Sequence, residues 1–285
     1  MSVRSAILIL NHVNDRHLME LHAAIQQDCG RDHDVFLLSD RTRPSLAFQR
    51  KHIRAEEFRF TQGDLIKLGY PGKQNIGLAG AGQRNLKLGN AELPVLLFCA
   101  NHRHYEHFWV VEYDVRYSGS WRQFFAAFNG NDAALLGTSL IRYSDFPGWS
   151  HWHSLAIPSL NFNEDDRLRG FFPVYRISND ALACLHEIYR QGCSGHMETL
   201  MPTALYRSGL RLEDIGGDGE FVVANNINRF YDNQRLTNDL SPGTFVYRPV
   251  LTATGAQPDR LWHPVKPKVN LATRLANRLW RELSR

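Results

Sequence analysis

Ser5 to Leu10 is a short apolar run that meets the polar Asn11, Leu18 to Gln27 repeats apolar residues at helical spacing, and His33 to Ser39 returns to an apolar strand ending at Asp40. This β-α-β opening constrains the fold more than any other stretch, because two parallel neighbouring strands need a crossover between them and a helix supplies it. It predicts an α/β fold with a mostly parallel sheet flanked by helices, in which ligands bind beyond the carboxyl ends of the strands. Asn11 and Asp40 stand at two such ends. There they can contact a ligand or cap the turns that follow them.

Further strands are predicted over Phe108 to Val111, Ala133 to Leu140 and Pro173 to Ile177, and helices over Trp121 to Asn129, Asp180 to Gln191 and Met197 to Ser208, with Pro202 in the first turn of the last. The segment Gln83 to Arg103 is expected to contain a helix beginning near Pro94, while residues 41–75 read as polar and mixed. Five of the 12 prolines lie from Pro242 onward, which predicts an extended wrap there. With 43% hydrophobic and 22% charged residues in 285, and no low-complexity linker, one domain over 1–268 and a separate tail over 269–285 are expected. Ala6 to Leu10 and Leu93 to Ala100, the longest apolar runs, fall short of the roughly 18 residues that span a bilayer. Arg4 is a poor basic lead for a signal peptide, so a cytoplasmic location is expected. Cys29, Cys99, Cys184 and Cys193 are too scattered for a zinc cage and suit reduced thiols.

The net charge of +4 is unevenly distributed: from Arg260 onward there are seven basic residues and one Glu, leaving 26 basic against 28 acidic before it. The body therefore lacks the basic stripe that nucleic-acid binding needs.

The apolar run Phe108-Trp109-Val110-Val111 stops on Glu112-Tyr113-Asp114. A strand alternates its faces, so Glu112 and Asp114 are expected to point to the same side. Two like charges so placed need a proton, an arginine or a cation between them, and a hard divalent ion with oxygen ligands, Mg²⁺ or Mn²⁺, is the economical answer. The alternative is that one carboxylate pairs with Arg116 or caps the turn at Ser118-Gly119-Ser120.

Glu112-Tyr113-Asp114 after a hydrophobic strand resembles the D-x-D metal motif of nucleotide-sugar glycosyltransferases of the GT-A fold, a Rossmann-like architecture. Gly195-His196-Met197-Glu198-Thr199-Leu200-Met201-Pro202-Thr203, followed by Gly209 to Gly216, resembles that family's acceptor-side helix with its catalytic carboxylate. Trp262-His263-Pro264-Val265-Lys266 resembles the element that returns a histidine to the metal. Taken in order, these segments cover about residues 5–267. The departure is Glu112, where the family more often has Asp. The resemblance implies an inverting hexosyltransferase of the bacterial surface-polysaccharide type, using a UDP-hexose or UDP-galactofuranose donor and a saccharide or lipid-linked saccharide acceptor. It assigns the metal to Asp114, His263 and Glu112, the donor phosphates to Lys266, the uracil and ribose to Asn11 and Asp40, and the general base to Glu198. The glycine run 77–82 lacks the Lys-Ser/Thr of a P-loop, and with Arg84 behind it is expected to open a helix near the donor.

The loop Trp149-Ser150-His151-Trp152-His153 is the expected acceptor platform, through Trp149, Trp152 and His153, since indole faces stack on sugar rings. Core packing of a tryptophan is the alternative. His102-Arg103-His104-Tyr105-Glu106-His107 mimics the H-x-H-x-D-H cluster of metallo-β-lactamase-like hydrolases, which makes a metal hydrolase the second reading. A non-catalytic carbohydrate-binding protein, in keeping with 11% aromatic residues, is the third. Gly216-Gly217-Asp218-Gly219-Glu220-Phe221 is similar to the GGDEF of diguanylate cyclases, but its extra glycine breaks that turn.

In the tail, Leu271, Leu275, Leu279, Leu283, Ala272, Ala276 and Trp280 fall on one half of a helical wheel and Arg274, Arg278, Arg281 and Arg285 on the other. Such a C-terminal amphipathic helix either docks on the domain or lies on an anionic membrane, here the inner face of the cell membrane.

Overall fold

The structure, a computed structural model, describes residues 5–12, 15–42, 55–73, 89–159 and 162–266. Arg84, the glycine run before it and the amphipathic tail lie outside the described residues.

The opening follows the sequence pattern closely. Strand β1 (Ser5–Asn11) leads to helix α1 (Arg16–Cys29), whose first turn is capped by the Asp15 carboxylate accepting from the Leu18 amide at 2.9 Å. Then come β2 (His33–Asp40), β3 (Glu56–Phe60), the short α2 (Gln62–Ile66) and α3 (Leu93–Asn101). The central strand β4 (His107–Glu112) is followed by the two-residue β5 (Arg116–Tyr117), α4 (Trp121–Ala126), β6 (Leu135–Arg142) and β7 (Leu168–Ser178). Helices α5 (Asn179–Arg190) and α6 (Met197–Arg207), then β8 (Leu212–Asp214) and β9 (Leu261–Trp262), complete the described elements.

Seven strands form one sheet in the order β3-β2-β1-β4-β7-β6-β8. β1 runs parallel to both β2 and β4, β2 to β3, and β6 to β8; only β7 opposes its neighbours. The protein is thus an α/β fold with a mostly parallel sheet flanked by helices. Because β2 lies on one side of β1 and β4 on the other, the connections diverge between β1 and β4 and open a crevice at their carboxyl ends. One face of the sheet is covered by α3, α5 and α6, through Phe98, Leu185, Leu200 and Leu205; the other by α1 and α4, through Leu21, Ile25, Phe124 and Phe125.

Several elements depart from expectation. β3 emerges from the stretch read as mixed, because a charged sheet edge (Glu56-Glu57-Phe58-Arg59-Phe60) need bury only one side. β7 begins at Leu168, five residues before the expected start, and takes the buried Arg169 and Gly170 into the sheet. Pro202 lies in the second turn of α6, where the missing amide relieves the Glu198 carbonyl of its helical partner. Residues 215–260 form the extended wrap, with little regular structure beyond the 3-10 turn Ala224–Asn226. Among the described residues, no helix is long and apolar enough to cross a membrane.

Candidate metal and catalytic site

The crevice beyond β1 and β4 holds the acidic turn. Leu10 pairs with Glu112 across the sheet, and the Tyr113 amide donates to the Leu10 carbonyl at 3.2 Å. The strand ends at Glu112 and turns at once, the Val115 amide returning to the Glu112 carbonyl at 3.0 Å. Asp114 therefore belongs to the turn, and it is this turn, not strand alternation, that brings the two carboxylates together. Arg116 is not their partner by hydrogen bonding: its guanidinium donates to the carbonyls of Tyr113, Val115 and His17.

His263 arrives from the far end of the chain. β9 pairs with β5, Arg116 opposite Trp262 and Tyr117 opposite Leu261, and the Val265 amide then donates to the Asp114 carbonyl at 2.8 Å. The imidazole Nδ1 lies 2.7 Å from the Val246 carbonyl, which can only accept, so Nδ1 carries the proton and Nε2 presents a lone pair. Nε2 stands 3.6 Å from Asp114 Oδ1 and 3.8 Å from Glu112 Oε2. Burial pushes the ring's pKa down while Asp114 pulls it up, with a net lowering that leaves it neutral near pH 7.

One ligand atom from each of Glu112, Asp114 and His263 falls within 4.8 Å of the others, and this is the only such metal-ligating group found among the described residues. Asp114 Oδ1 is buried without a hydrogen-bond partner. A buried acceptor facing a second lone pair at 3.6 Å is unfavourable until a cation satisfies both, so these residues fit a divalent metal ion. The neutral Nε2 held by an Nδ1–H···O=C bond is the tautomer a metal requires. Lys266 Nζ lies 3.1 Å from the other Asp114 oxygen, Oδ2. Burial disfavours its charge, but Asp114 and Tyr113 outweigh that and hold its pKa above the ordinary value.

A cavity of about 360 Å³ joins Glu112, Asp114, His263 and Lys266 to Glu198 on α6. His196 caps this helix, its Nδ1 accepting from the Glu198 amide at 3.3 Å. Burial pushes the His196 ring down to about 3 and the Glu198 carboxyl up to about 7, the latter against the pull of Arg169. At neutral pH Glu198 is thus poised to accept or release a proton.

Other expected contacts are placed differently. Asn11 is buried, and its amide donates to the Ile9 and Leu38 carbonyls and the Ser39 hydroxyl, while Asp40 Oδ1 accepts from the amide and hydroxyl of Thr42. Asn11 thus ties the end of β1 to β2, and Asp40 caps the turn that follows β2. Trp149 and Trp152 are 4% and 1% exposed and form no open platform: Trp152 donates its indole N–H to the Phe146 carbonyl, and Trp149 packs edge-on against it beneath Arg169. His153 is exposed on the same loop but does not line the cavity. Trp152→Ala should accordingly act on stability, lowering it by about 3–5 kcal/mol in denaturant unfolding. A fully stable variant with weakened saccharide binding would restore the platform.

The histidines of the hydrolase reading do not converge. His102 stacks on Phe98 with centroids 3.9 Å apart and bonds its carbonyl, His104 lies against Tyr105, and His107 is part of β4. In the glycine-rich turn after β8, Asp214 accepts from the amides of Gly216 and Gly217, a local cap.

Sequence reading overlooked His196, Arg169 and Arg248, the last on the cavity wall. His196 directly precedes the recognised Met197-Glu198 pair, so an N-cap signal was present. Arg169 had none, since a charged residue seldom marks a buried strand.

A family described as "Protein of unknown function (DUF3405)" matches residues 57–131, about a quarter of the chain, which includes the acidic turn. No curated protein matches the sequence. Similar solved structures include the inositol-1-phosphate CTP transferase from T. maritima (10% identity, covering 76% of this chain and 87% of that one, TM-score 0.37). Mouse xyloside xylosyltransferase 1 in its apo form (10%, 73% and 81%, 0.35) and core-mannan synthase A from Aspergillus fumigatus in its Mn/GDP form (8%, 74% and 72%, 0.35) are others. Likenesses of this size carry no inference about activity.

Proposed function

We propose that this protein is a metal-dependent inverting glycosyltransferase that moves a hexose from a UDP-sugar to a saccharide or lipid-linked saccharide acceptor. The observation that carries the reading is the meeting, in one cavity at the diverging strand ends, of the Glu112, Asp114 and His263 ligand set with a separate carboxylate, Glu198, whose pKa stands near 7. A simple binding module needs neither the orphaned metal-ligand oxygen nor the raised carboxyl.

Asp114, His263 and Glu112 would hold Mn²⁺ or Mg²⁺. Bound there, the ion would offset negative charge on a leaving nucleoside diphosphate. Lys266 binds phosphate oxygens as a point charge from its place beside Asp114, and Arg248 adds a second cation on the cavity wall. Glu198 accepts the proton of the acceptor hydroxyl as that oxygen attacks the anomeric carbon. His196 fixes the first turn of α6 and so the direction of the Glu198 side chain. The basic and apolar composition of residues 269–285 fits placement on the inner face of a membrane, where a lipid-linked acceptor would reside.

The test is release of nucleoside diphosphate from a panel of UDP- and GDP-sugars with and without Mn²⁺, followed by the anomeric configuration of the product. Metal-dependent release of UDP with inversion is expected. Release without metal, or a retained configuration, contradicts the reading.

A further inference from the structure

Beneath the cavity floor lies an ion pair with no role in the chemistry above. The Lys73 and Glu92 side chains are 2% and 1% exposed, with Nζ 2.6 Å from Glu92 Oε1. The ammonium also donates to Asn90 Oδ1 at 3.0 Å and to the Gly195 carbonyl at 3.2 Å, which uses all three of its protons. The Tyr189 hydroxyl donates to the same Glu92 oxygen at 3.1 Å, and its ring centroid lies 4.7 Å from Nζ.

We infer that Lys73 is a positioning residue for Glu198: by gripping the Gly195 carbonyl it fixes the chain immediately before the cap of α6 and so sets where the Glu198 carboxylate stands in the cavity. The catalytic part of this inference rests on the role proposed for Glu198.

Three features support it. Gly195 adopts φ +144°, and a Cβ there would come within 3.2 Å of the Leu155 Cα and the Ser154 carbonyl, so backbone presses on the chain from one side. On the other side, a Cβ on Gly72 would come 2.1 Å from the Cys193 carbonyl, so the peptide leading into Lys73 lies directly against 192–193. The first turn of α6 is then held at its amides, Met197 by the Gly89 carbonyl at 2.8 Å and Glu198 by His196 Nδ1. The peptide just before the cap is held at both ends, its His196 amide donating to Ser154 Oγ at 3.0 Å and its Gly195 carbonyl accepting from Lys73, so the lysine fixes the carbonyl side. An apolar pair of similar volume can replace a buried ion pair with little loss of stability. Such a pair has no donor for Gly195. What the ammonium adds is direction.

This separation makes Lys73→Met/Glu92→Met the informative variant, because it removes both charges and leaves neither stranded. It should fold, with a melting temperature lowered by the partners that Asn90, Tyr189 and the Gly195 carbonyl lose, and bind UDP with Mn²⁺ equally well. On the donor identified by the nucleotide-sugar panel, kcat should fall about 10-fold or more at unchanged donor KM, as expected when a reacting group is displaced without loss of binding. Independently of activity, amide exchange at Met197 and Glu198 should accelerate about 10-fold or more relative to Leu205 in the same helix. A change confined to general stability would instead raise exchange along the whole helix. Wild-type turnover together with wild-type exchange at 197 and 198 overturns the inference. If the parent protein turns over no nucleotide sugar, the proposed function falls while the exchange measurement still decides the positioning. Should the Met pair not fold, Lys73→Gln/Glu92→Gln, whose shorter side chain at 73 ends short of Gly195, is judged by the same readouts.

Discussion

Asp114→Ala should abolish metal-dependent UDP binding, with a loss of affinity on the order of 100-fold or more, since removing a ligand costs more than the 10- to 100-fold typical of losing an outer hydrogen-bond partner. The side chain serves two neighbours: Oδ1 faces His263 Nε2, and Oδ2 pairs with Lys266. Its loss deprives the ion of a buried anion and leaves the lysine charge unbalanced. Asp114→Asn is the companion variant, matched in shape, for showing that the loss is not one of folding. Glu112, with its side chain 34% exposed, should matter less. Calorimetry with UDP in Mn²⁺ and in chelator decides the matter, and unchanged affinity in a folded Asp114→Ala protein removes the metal from this site.

The second large effect is on turnover. Glu198→Gln should lower kcat by roughly 10²–10⁴-fold, the range for a positioned base, while UDP affinity stays near that of the parent. A base works deprotonated, so the parent kcat/KM should climb as pH rises through about 7, and the variant should lack that limb. The same carboxyl links pH to stability with opposite sign. Its folded pKa is raised from 4.5 to about 7, so its stabilising contribution is complete below pH 4.5 and is lost as pH rises through 7. Glu198→Gln should therefore be more stable than the parent at pH 8, by about 3 kcal/mol at most, and no more stable at pH 4. A variant with full turnover, or one with loss of binding and turnover in equal measure, would exclude Glu198 as the base.

Signals that were local in the chain were legible in the sequence. α1 and the strands around it declare themselves by period, and the halt of β4 on Glu112 marks a strand end wherever it is read. The approach of His263 to Asp114 is not local. Spacing alone could not supply it, and it came from the order of three short segments that together resemble one family. The Lys73–Glu92 pair was invisible, because a lysine and a glutamate 19 positions apart look like surface residues until packing closes over them. Trp149 and Trp152 failed in the opposite direction: a polar loop with two indoles fits an open platform and a plugged cavity equally well, and Arg169 settles the matter from a strand whose start the sequence concealed.

The β5–β9 ladder has a consequence for the order in which this protein is made. The acidic turn closes once the Val115 amide can reach the Glu112 carbonyl, yet His263 can join it only after the chain has run on through the wrap. Loop closure over so long a span is slow and comes late in folding. A nascent chain thus holds both carboxylates long before it holds the imidazole that completes the proposed ligand set. The two-residue ladder is not alone in holding that histidine, whose amide donates to the Thr244 carbonyl at 3.0 Å and whose carbonyl accepts from the Val246 amide at 3.2 Å. The imidazole can therefore leave the two carboxylates only together with the part of the wrap that carries Thr244 and Val246, which ties the integrity of the site to that of the wrap.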